Sequence, residues 1–162
     1  MQVKVIPIER IEEVWDEVFD STPEEAEILT SQFNLEEPMA VEYLIDRGKE
    51  DFNEKEQELL LFIGMAIWMV YQRFCRALVK IDKNELLNAE NLEMKSAIKF
   101  EGNYFDEVLV NHHQKDMLQV ILNTIIEKFE EENSGIREDN TSLLFLYHKI
   151  LVDCFDQACL KK

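Results

Sequence analysis

Three neighbouring residues, His112, His113 and Asp116, form the only sequence-local cluster of side chains with metal-ligand character. If this segment is helical, His112 and Asp116 are about one turn apart and both could reach one ion. His148 is the obvious supplier of a further ligand from another helix. The sequence therefore permits a helical-bundle metalloprotein, hydrolytic or redox. The same residues also fit an ordinary polar helix face or a simple His–Asp pair.

Nucleophilic catalysis has little support in the sequence. Cys75, Cys154 and Cys159 lie in apolar stretches without paired metal-ligand spacing. The chain has no Gly-rich phosphate loop, Gly-Xaa-Ser-Xaa-Gly elbow or Cys-Xaa-Xaa-Cys pair. The sequence carries no enzyme signature, and we expect three buried free thiols in a reducing compartment and no cofactor.

Negative charge is concentrated in the first third of the chain. Residues 1–58 carry 18 Asp and Glu against 5 Lys and Arg, whereas residues 59–162 carry 16 against 12, for a total of −17. The densest run comprises Glu9, Glu12, Glu13, Asp16, Glu17 and Asp20. Like charges four residues apart on a helix cost about a few tenths of a kcal/mol each. A basic surface would remove this cost, whether it belongs to a partner or to the chain itself. The alternative is a solvated helix face.

A basic counterpart exists within the chain. If one helix continues to about residue 81, four cations fall within about 80° of its circumference. They are Arg73, Arg76, Lys80 and Lys83. They fit cations placed near a helix carboxyl terminus, a dock for the acidic segment, a homodimer contact or an anion site. We do not expect direct nucleic-acid binding, because four cations in a chain of net charge −17 cannot produce a broad positive field.

Imitation of DNA is a separate possibility for the acidic run. Six carboxylates over 12 residues place about one charge every 3 Å, whereas duplex DNA carries one per about 1.7 Å. A second acidic helix alongside, with Glu24, Glu25 and Glu27, would recover the missing density. A DNA-mimic inhibitor therefore stays an alternative.

The elements that must position these residues are helices. The chain has only 4 Gly and 3 Pro, too few for the many tight turns of a β protein. Pro7 begins an amphipathic helix that ends near Ser21. Thr22, Pro23 and Glu25 then form the capping-box start of a second helix.

The longest element predicted is a central helix over residues 54–81, opened by Asn53 and Glu56. A short helix over residues 38–48 precedes it and ends at a glycine. Residues 59–71 are apolar on all sides of the central helix, so neighbours must cover it. This run of 13 residues is shorter than the ~18 to 20 that a membrane span needs, which favours a buried core helix.

Periodicity predicts one helix over residues 104–129 and a last helix over residues 140–160. The fold expected is all-α, a single domain over residues 1–162, with about six or seven helices bundled around the central one. Residues 1–58 form an acidic subregion of that domain. Residues 1–13 lack the apolar core of a signal peptide, so a cytoplasmic protein is expected.

The function expected is a non-catalytic acidic interaction module, such as an adaptor, inhibitor or immunity-type protein. Its partner would be a basic protein surface, or a second copy of the chain. The residues expected at the contact are Glu12, Glu13, Asp16, Glu17 and Asp20, with Arg73, Arg76, Lys80 and Lys83 as the basic counterpart. The alternatives are the metalloprotein that uses His112, Asp116 and His148, the DNA mimic, and homodimerisation alone.

Overall fold

The computed structural model describes residues 4–100 and 104–160, and the secondary structure within them consists of helices. There are eight in this part of the chain: α1 (Ile8–Phe19), α2 (Pro23–Glu36), α3 (Pro38–Asp51), α4 (Glu54–Phe74), α5 (Lys83–Phe100), α6 (Tyr104–Asn111), α7 (Lys115–Glu130) and α8 (Glu138–Leu160). The predicted all-α, single-domain bundle is confirmed, with eight helices in place of six or seven.

Two capping boxes predicted from the sequence are formed. The Thr22 hydroxyl accepts a hydrogen bond from the Glu25 N–H, and the Glu25 carboxylate accepts one from the Thr22 N–H, both at 3.2 Å. Asn53 and Glu56 repeat the arrangement at 2.9 and 3.0 Å. Each box satisfies two backbone donors that a helix start would leave unpaired. The starts of α2 and α4 are therefore encoded locally.

The central helix is α4, which contacts α1, α2, α3 and α8. Most of its residues from 59 to 71 are buried, as the sequence predicts, but Leu61 and Phe62 stay partly exposed. Gly64 allows α3 to approach closely, because a Cβ at this position would lie 2.5 Å from Leu44 Cδ1. One continuous apolar core extends from Ile6 to Cys159.

The longest helix, α8, runs parallel to α4. His148 faces Leu60 near the start of α4, and Asp156 faces Tyr71 near its end. Further contacts of α8 run to α5 and α7, and the ring pairs Phe105–Phe145 and Tyr43–Tyr147 join it to α6 and α3. The polar residues of α8 that point away from α4 therefore meet α5 and the connection between α6 and α7.

The central helix is shorter than predicted. Its last backbone hydrogen bond runs from the Cys75 N–H to the Tyr71 carbonyl, at 2.8 Å, and residues 75–82 lie outside any helix. The Val79 N–H instead bonds the Ala158 carbonyl at 3.4 Å, and the Glu37 carboxylate accepts the Ile81 N–H at 3.1 Å. These contacts with α8 and with the junction of α2 and α3 determine where α4 ends. They are long-range contacts, so the local periodicity of the sequence cannot predict them.

Two other predicted boundaries are wrong. Gly48 does not end α3, which continues to Asp51, and a Cβ at Gly48 would lie 3.0 Å from Gln57 Cγ of α4. This glycine serves close packing inside the helix. The predicted helix over residues 104–129 is two helices, α6 and α7, because the chain turns at residues 112–114. There the Gln114 N–H bonds His112 Nδ1 at 2.9 Å, a local side-chain contact that replaces a helical one.

The cysteine expectation is also wrong. Cys75 and Cys159 form a disulfide with their Cα atoms 5.8 Å apart, and Cys154 is a buried thiol outside this bond. The early end of α4 brings Cys75 beside the last turn of α8. Sequence spacing could not show this, since 84 residues separate the two cysteines.

Within residues 4–100 and 104–160, no helix combines the length and the apolar character that crossing a membrane requires. The interpretation of the apolar run in α4 as part of the protein core agrees with its burial.

Candidate functional site

Five carboxylates of α1 line one exposed side of the helix. At ~100° per residue they span about 100° of its circumference, opposite the buried Ile11, Val14 and Val18. They are Glu9, Glu12, Glu13, Asp16 and Asp20, and together they are called the acidic stripe here. None of them forms an ion pair with any residue that the structure describes. Among the described residues the stripe is therefore a set of exposed charges without an ion pair, although the charge of Glu13 raises the pKa of Arg73.

Glu17 lies at the edge of the stripe and behaves differently. Its two carboxylate oxygens accept hydrogen bonds from Arg73 Nη1 and Nη2 of α4, at 2.6 and 2.8 Å. The Arg73 hydrogen bonds hold the pKa of Glu17 below its usual value, and they raise the pKa of Arg73 in turn. The pair is close to half exposed, so its contribution to stability is small.

The four basic residues predicted to share one helix face do not share one. Arg73 is in α4, Arg76 and Lys80 are exposed in residues 75–82, and Lys83 begins α5. Arg73 pairs with Glu17, and Lys83 Nζ lies 3.5 Å from the Glu42 carboxylate. The physical reason is the early end of α4. Two of these cations therefore each contact one carboxylate of residues 1–58.

The three candidate metal ligands are not assembled into a site. His148 is fully buried in α8, with its Nε2 2.9 Å from the Leu60 carbonyl, and burial lowers its pKa to about 4. His112 Nε2 lies 2.7 Å from Asp153 Oδ1, and the break between α6 and α7 removes the helical spacing that related His112 to Asp116. Across the described residues, no group of three or more His, Cys, Asp or Glu is placed to hold a metal ion.

A buried polar network surrounds one side of α8. Asp156 Oδ1 accepts the Tyr71 hydroxyl at 2.6 Å and the Gln114 side chain at 3.3 Å, and its Oδ2 lies 2.7 Å from His113 Nε2. The rings of His112 and His113 stack with their centroids 5.0 Å apart. Burial raises the pKa of Asp156, against the lowering effects of these neighbours.

The network continues along α8 through Lys149 and Asp153. Lys149 Nζ lies 2.7 Å from Asp153 Oδ2 and 2.5 Å from the Glu93 carboxylate, whose other oxygen accepts the Tyr104 hydroxyl. Burial by itself would raise the pKa of Asp153, but the His112 hydrogen bond and the Lys149 charge hold it below its usual value. These charges find partners inside the chain, so the network clamps α5, α6 and the α6–α7 connection onto α8.

A wide groove lies beside the carboxyl end of α1, between α1, α2, α4 and α7. It encloses about 640 Å³. Its apolar surface is formed by Val18, Phe19, Ala26, Leu59, Phe62 and Ile136. The rings of Phe19 and Phe62 are 6.3 Å apart, and both are only partly buried. This groove, called the α1–α4 groove, is one place where the central helix is incompletely covered; the partly exposed Leu61 lines a different one.

Sequence reasoning missed both the polar network and the groove. A signal for the network was present, because Lys149, Asp153 and Asp156 recur at helical spacing in the mainly apolar second half of α8. Such a stripe of charge in a buried helix requires partners from other elements. The groove has no comparable signal, because it is enclosed by three stretches that are distant in sequence, residues 18–26, 55–62 and 128–136.

Comparison of the chain with family models, curated proteins and solved structures finds no match. Its function is therefore argued from the geometry of the chain itself.

Proposed function

We propose that this protein is a non-catalytic interaction module that binds a basic protein surface through the acidic stripe of α1. The observation that carries the proposal is that Glu9, Glu12, Glu13, Asp16 and Asp20 are exposed on one side of a well-packed helix and form no ion pair with any described residue. Crowded carboxylates without a counter-charge repel one another, and a cationic partner relieves that repulsion.

The rigid support of α1 favours this role. Trp15 is buried and donates its indole N–H to the Thr124 hydroxyl of α7 at 2.9 Å, while Val14 and Val18 pack in the core. The stripe is therefore held in a fixed arrangement before any partner arrives. A preorganised surface loses less conformational entropy on binding than a flexible one.

The charge of the chain indicates the class of partner. A net charge of −17 steers basic proteins toward the surface and repels nucleic acid. The carboxylates define an acceptor surface for Lys and Arg side chains, so the proposed partner presents several cations along a length of about 16 Å, the length of α1 from Glu9 to Asp20 at 1.5 Å per residue.

The cytoplasm is the compartment in which we propose that the protein acts, and the disulfide is the observation that opposes it. Persistent disulfides are rare in the cytosol. Rapid alkylation of thiols in intact cells distinguishes the two states of Cys75 and Cys159. Free thiols agree with the cytoplasm, whereas a fully formed disulfide would place the protein in an oxidising compartment.

The experiment that tests the function is capture from lysate with three baits, at low and high salt. The first bait is the wild-type protein. The second carries Glu12→Lys, Asp16→Lys and Asp20→Lys, and leaves Glu17 intact because Glu17 pairs with Arg73. The third is a control of equal charge change, Asp46→Lys, Asp106→Lys and Glu127→Lys, which reverses three exposed carboxylates in α3, α6 and α7.

The proposal predicts one basic protein, captured in stoichiometric amount by the wild type and by the control bait, and released by high salt. The stripe bait should lose it. Equal loss from both variants would mean that only net charge matters. A partner retained by the stripe bait would refute the assigned surface.

A further inference from the structure

The α1–α4 groove is an opening in the cover of the central helix. Residues 59–71 are apolar on all sides of the helix and need neighbours on every side, yet Phe62 is only partly buried where it lines the groove. The groove has a volume of about 640 Å³, within the range of about 300 to 1,000 Å³ typical of binding pockets. It is large enough for more than one apolar side chain.

The groove adjoins the acidic stripe directly. Phe19 and Ser21 line it, and Asp20 lies between them in the chain. At ~100° per residue, Phe19 projects about 20° from Glu12 around α1, on the side opposite Glu17 and Arg73. An object bound along the stripe therefore reaches the groove without crossing the Glu17–Arg73 pair.

The charges at the rim of the groove are largely paired among themselves. Lys55 lies 3.8 Å from Glu58, and Lys128 lies 3.2 Å from Glu131. Glu132 is exposed and has no ion pair within the described chain. The unpaired charge near the groove is thus negative, from Glu132 on one side and the stripe on the other. This favours an occupant with apolar residues flanked by cations.

We propose that the α1–α4 groove binds the apolar face of a basic amphipathic helix of the partner, while the acidic stripe binds its Lys and Arg residues. This inference rests on the proposed function and adds the chemistry of the partner. A helix that lays its apolar face into a groove gains affinity from burial, and charges at the rim fix its orientation. Two or three large apolar side chains spaced by one helical turn fit its volume of about 640 Å³.

The test uses three synthetic helical peptides of about four turns each. The first is composed of Leu and Lys with Leu on one face, the second has the same Lys residues with Ser in place of Leu, and the third has the same Leu residues with Gln in place of Lys. Binding to the purified protein is measured by titration calorimetry. We expect the Leu/Lys peptide to bind at least about tenfold more tightly than the Lys/Ser peptide, and the Leu/Gln peptide to bind weakly.

Three variants locate the binding. Ala26→Trp fills the groove from α2, and Phe62→Ala removes part of its floor; both should bring the Leu/Lys affinity to within about twofold of the Lys/Ser affinity. Leu35→Ala is the control, because Leu35 is an apolar residue of α2 that is 77% exposed and lies outside the groove. It should leave the affinities unchanged. Circular dichroism confirms that each variant is folded.

The results separate the two proposals. If the Lys/Ser peptide binds through the stripe but Leu adds nothing, or if Ala26→Trp leaves the Leu advantage intact, the groove proposal is overturned and the stripe proposal stands. If no cationic peptide binds, both are overturned. Sedimentation of the protein alone completes the test, because a dimer that Ala26→Trp dissociates would assign the groove to a second copy of the chain and would also overturn the proposal.

Discussion

Glu17 of α1 holds Arg73 of α4 through two parallel hydrogen bonds of 2.6 and 2.8 Å. This pair divides the acidic residues of α1 into two groups, since Glu17 forms an ion pair within the described chain and the residues of the acidic stripe form none. The consequence is that Glu17, although expected from the sequence to contact a partner, serves an internal contact.

Glu17→Gln should therefore leave partner binding unchanged within about twofold. The free energy of unfolding should fall by less than about 1 kcal/mol, because exposed ion pairs contribute little. Denaturant titration and calorimetry with the Lys/Ser peptide measure the two effects. A loss of binding as large as that of a stripe variant would show that Glu17 contacts the partner and does not stay paired with Arg73.

Glu56 is expected to be one of the most important polar residues for stability. Its side chain is fully buried and accepts the Arg137 N–H, the Arg137 guanidinium and the Asn140 amide, at 2.8 to 3.0 Å. It also completes the capping box with Asn53. Glu56→Ala should lower the free energy of unfolding by about 2 to 4 kcal/mol, measured by urea titration.

The matched control for Glu56 is Glu58→Ala, two residues further along α4, where the carboxylate is 62% exposed. It should cost less than about 1 kcal/mol.

The contribution of Glu56 should also depend on pH. Burial acting alone would raise the pKa of Glu56, but its hydrogen bonds to Arg137 hold it below the usual value. The stability that Glu56 contributes is therefore present above about pH 4.5 and is lost as the pH falls through its lower folded pKa. Equal losses of unfolding free energy for Glu56→Ala and Glu58→Ala would contradict the role assigned to the buried Glu56 carboxylate.

Glu37 should make stability depend on pH in the opposite sense. It lies between α2 and α3 with 2% of its surface exposed, and burial raises its pKa to about 7. A raised folded pKa contributes stability below the unfolded value of about 4.5, and this contribution is lost as the pH rises through about 7. Glu37→Gln should raise the free energy of unfolding near pH 8 by up to about 3 kcal/mol.

The gain from Glu37→Gln should shrink steadily as the pH falls from about 7 to about 4.5. Urea titrations of the variant and the wild type across this range measure it. Glu27→Gln is the control, because this carboxylate of α2 is exposed and forms no ion pair with any described residue. A gain for Glu37→Gln that does not vary with pH would exclude titration of the Glu37 carboxyl as its cause.

Reduction of the Cys75–Cys159 disulfide should destabilise the protein. The bond closes a loop between residues 84 positions apart. For a loop of this length, chain entropy limits the stabilisation by the disulfide to about 4 to 5 kcal/mol. The urea midpoint should fall on addition of reductant. The double variant Cys75→Ser and Cys159→Ser should show the lower midpoint with or without reductant. An unchanged wild-type midpoint would show that the two sulfurs are not bonded.

Local signals predicted the helix starts well and the later boundaries poorly. The capping boxes of α2 and α4 depend on residues three positions apart, so the sequence alone reveals them. The end of α4 depends instead on Cys75 meeting Cys159 and on Glu37 accepting the Ile81 N–H, contacts across 84 and 44 residues. Periodicity continued past that point because residues 75–82 are still amphipathic.

In the candidate site, too, the features that belong to one helix were predictable and those that several helices form together were not. The acidic stripe is a property of one helix, and its periodicity against Ile11, Val14 and Val18 specified which side is exposed. The basic stripe and the candidate metal site each assumed a continuous helix across a break. The network around Asp156 and the α1–α4 groove depend on several helices at once, and single-element patterns cannot place them.

The central claim is that the acidic stripe binds a basic partner. The most direct measurement is the dissociation constant of the captured partner, purified, over a series of salt concentrations, for the wild type, the variant with Glu12→Lys, Asp16→Lys and Asp20→Lys, and the variant with Asp46→Lys, Asp106→Lys and Glu127→Lys. We predict that the stripe variant binds at least about a hundredfold more weakly at low salt and loses most of the salt dependence, whereas the control keeps both. Equal affinities and equal salt dependence for the two variants would contradict the claim.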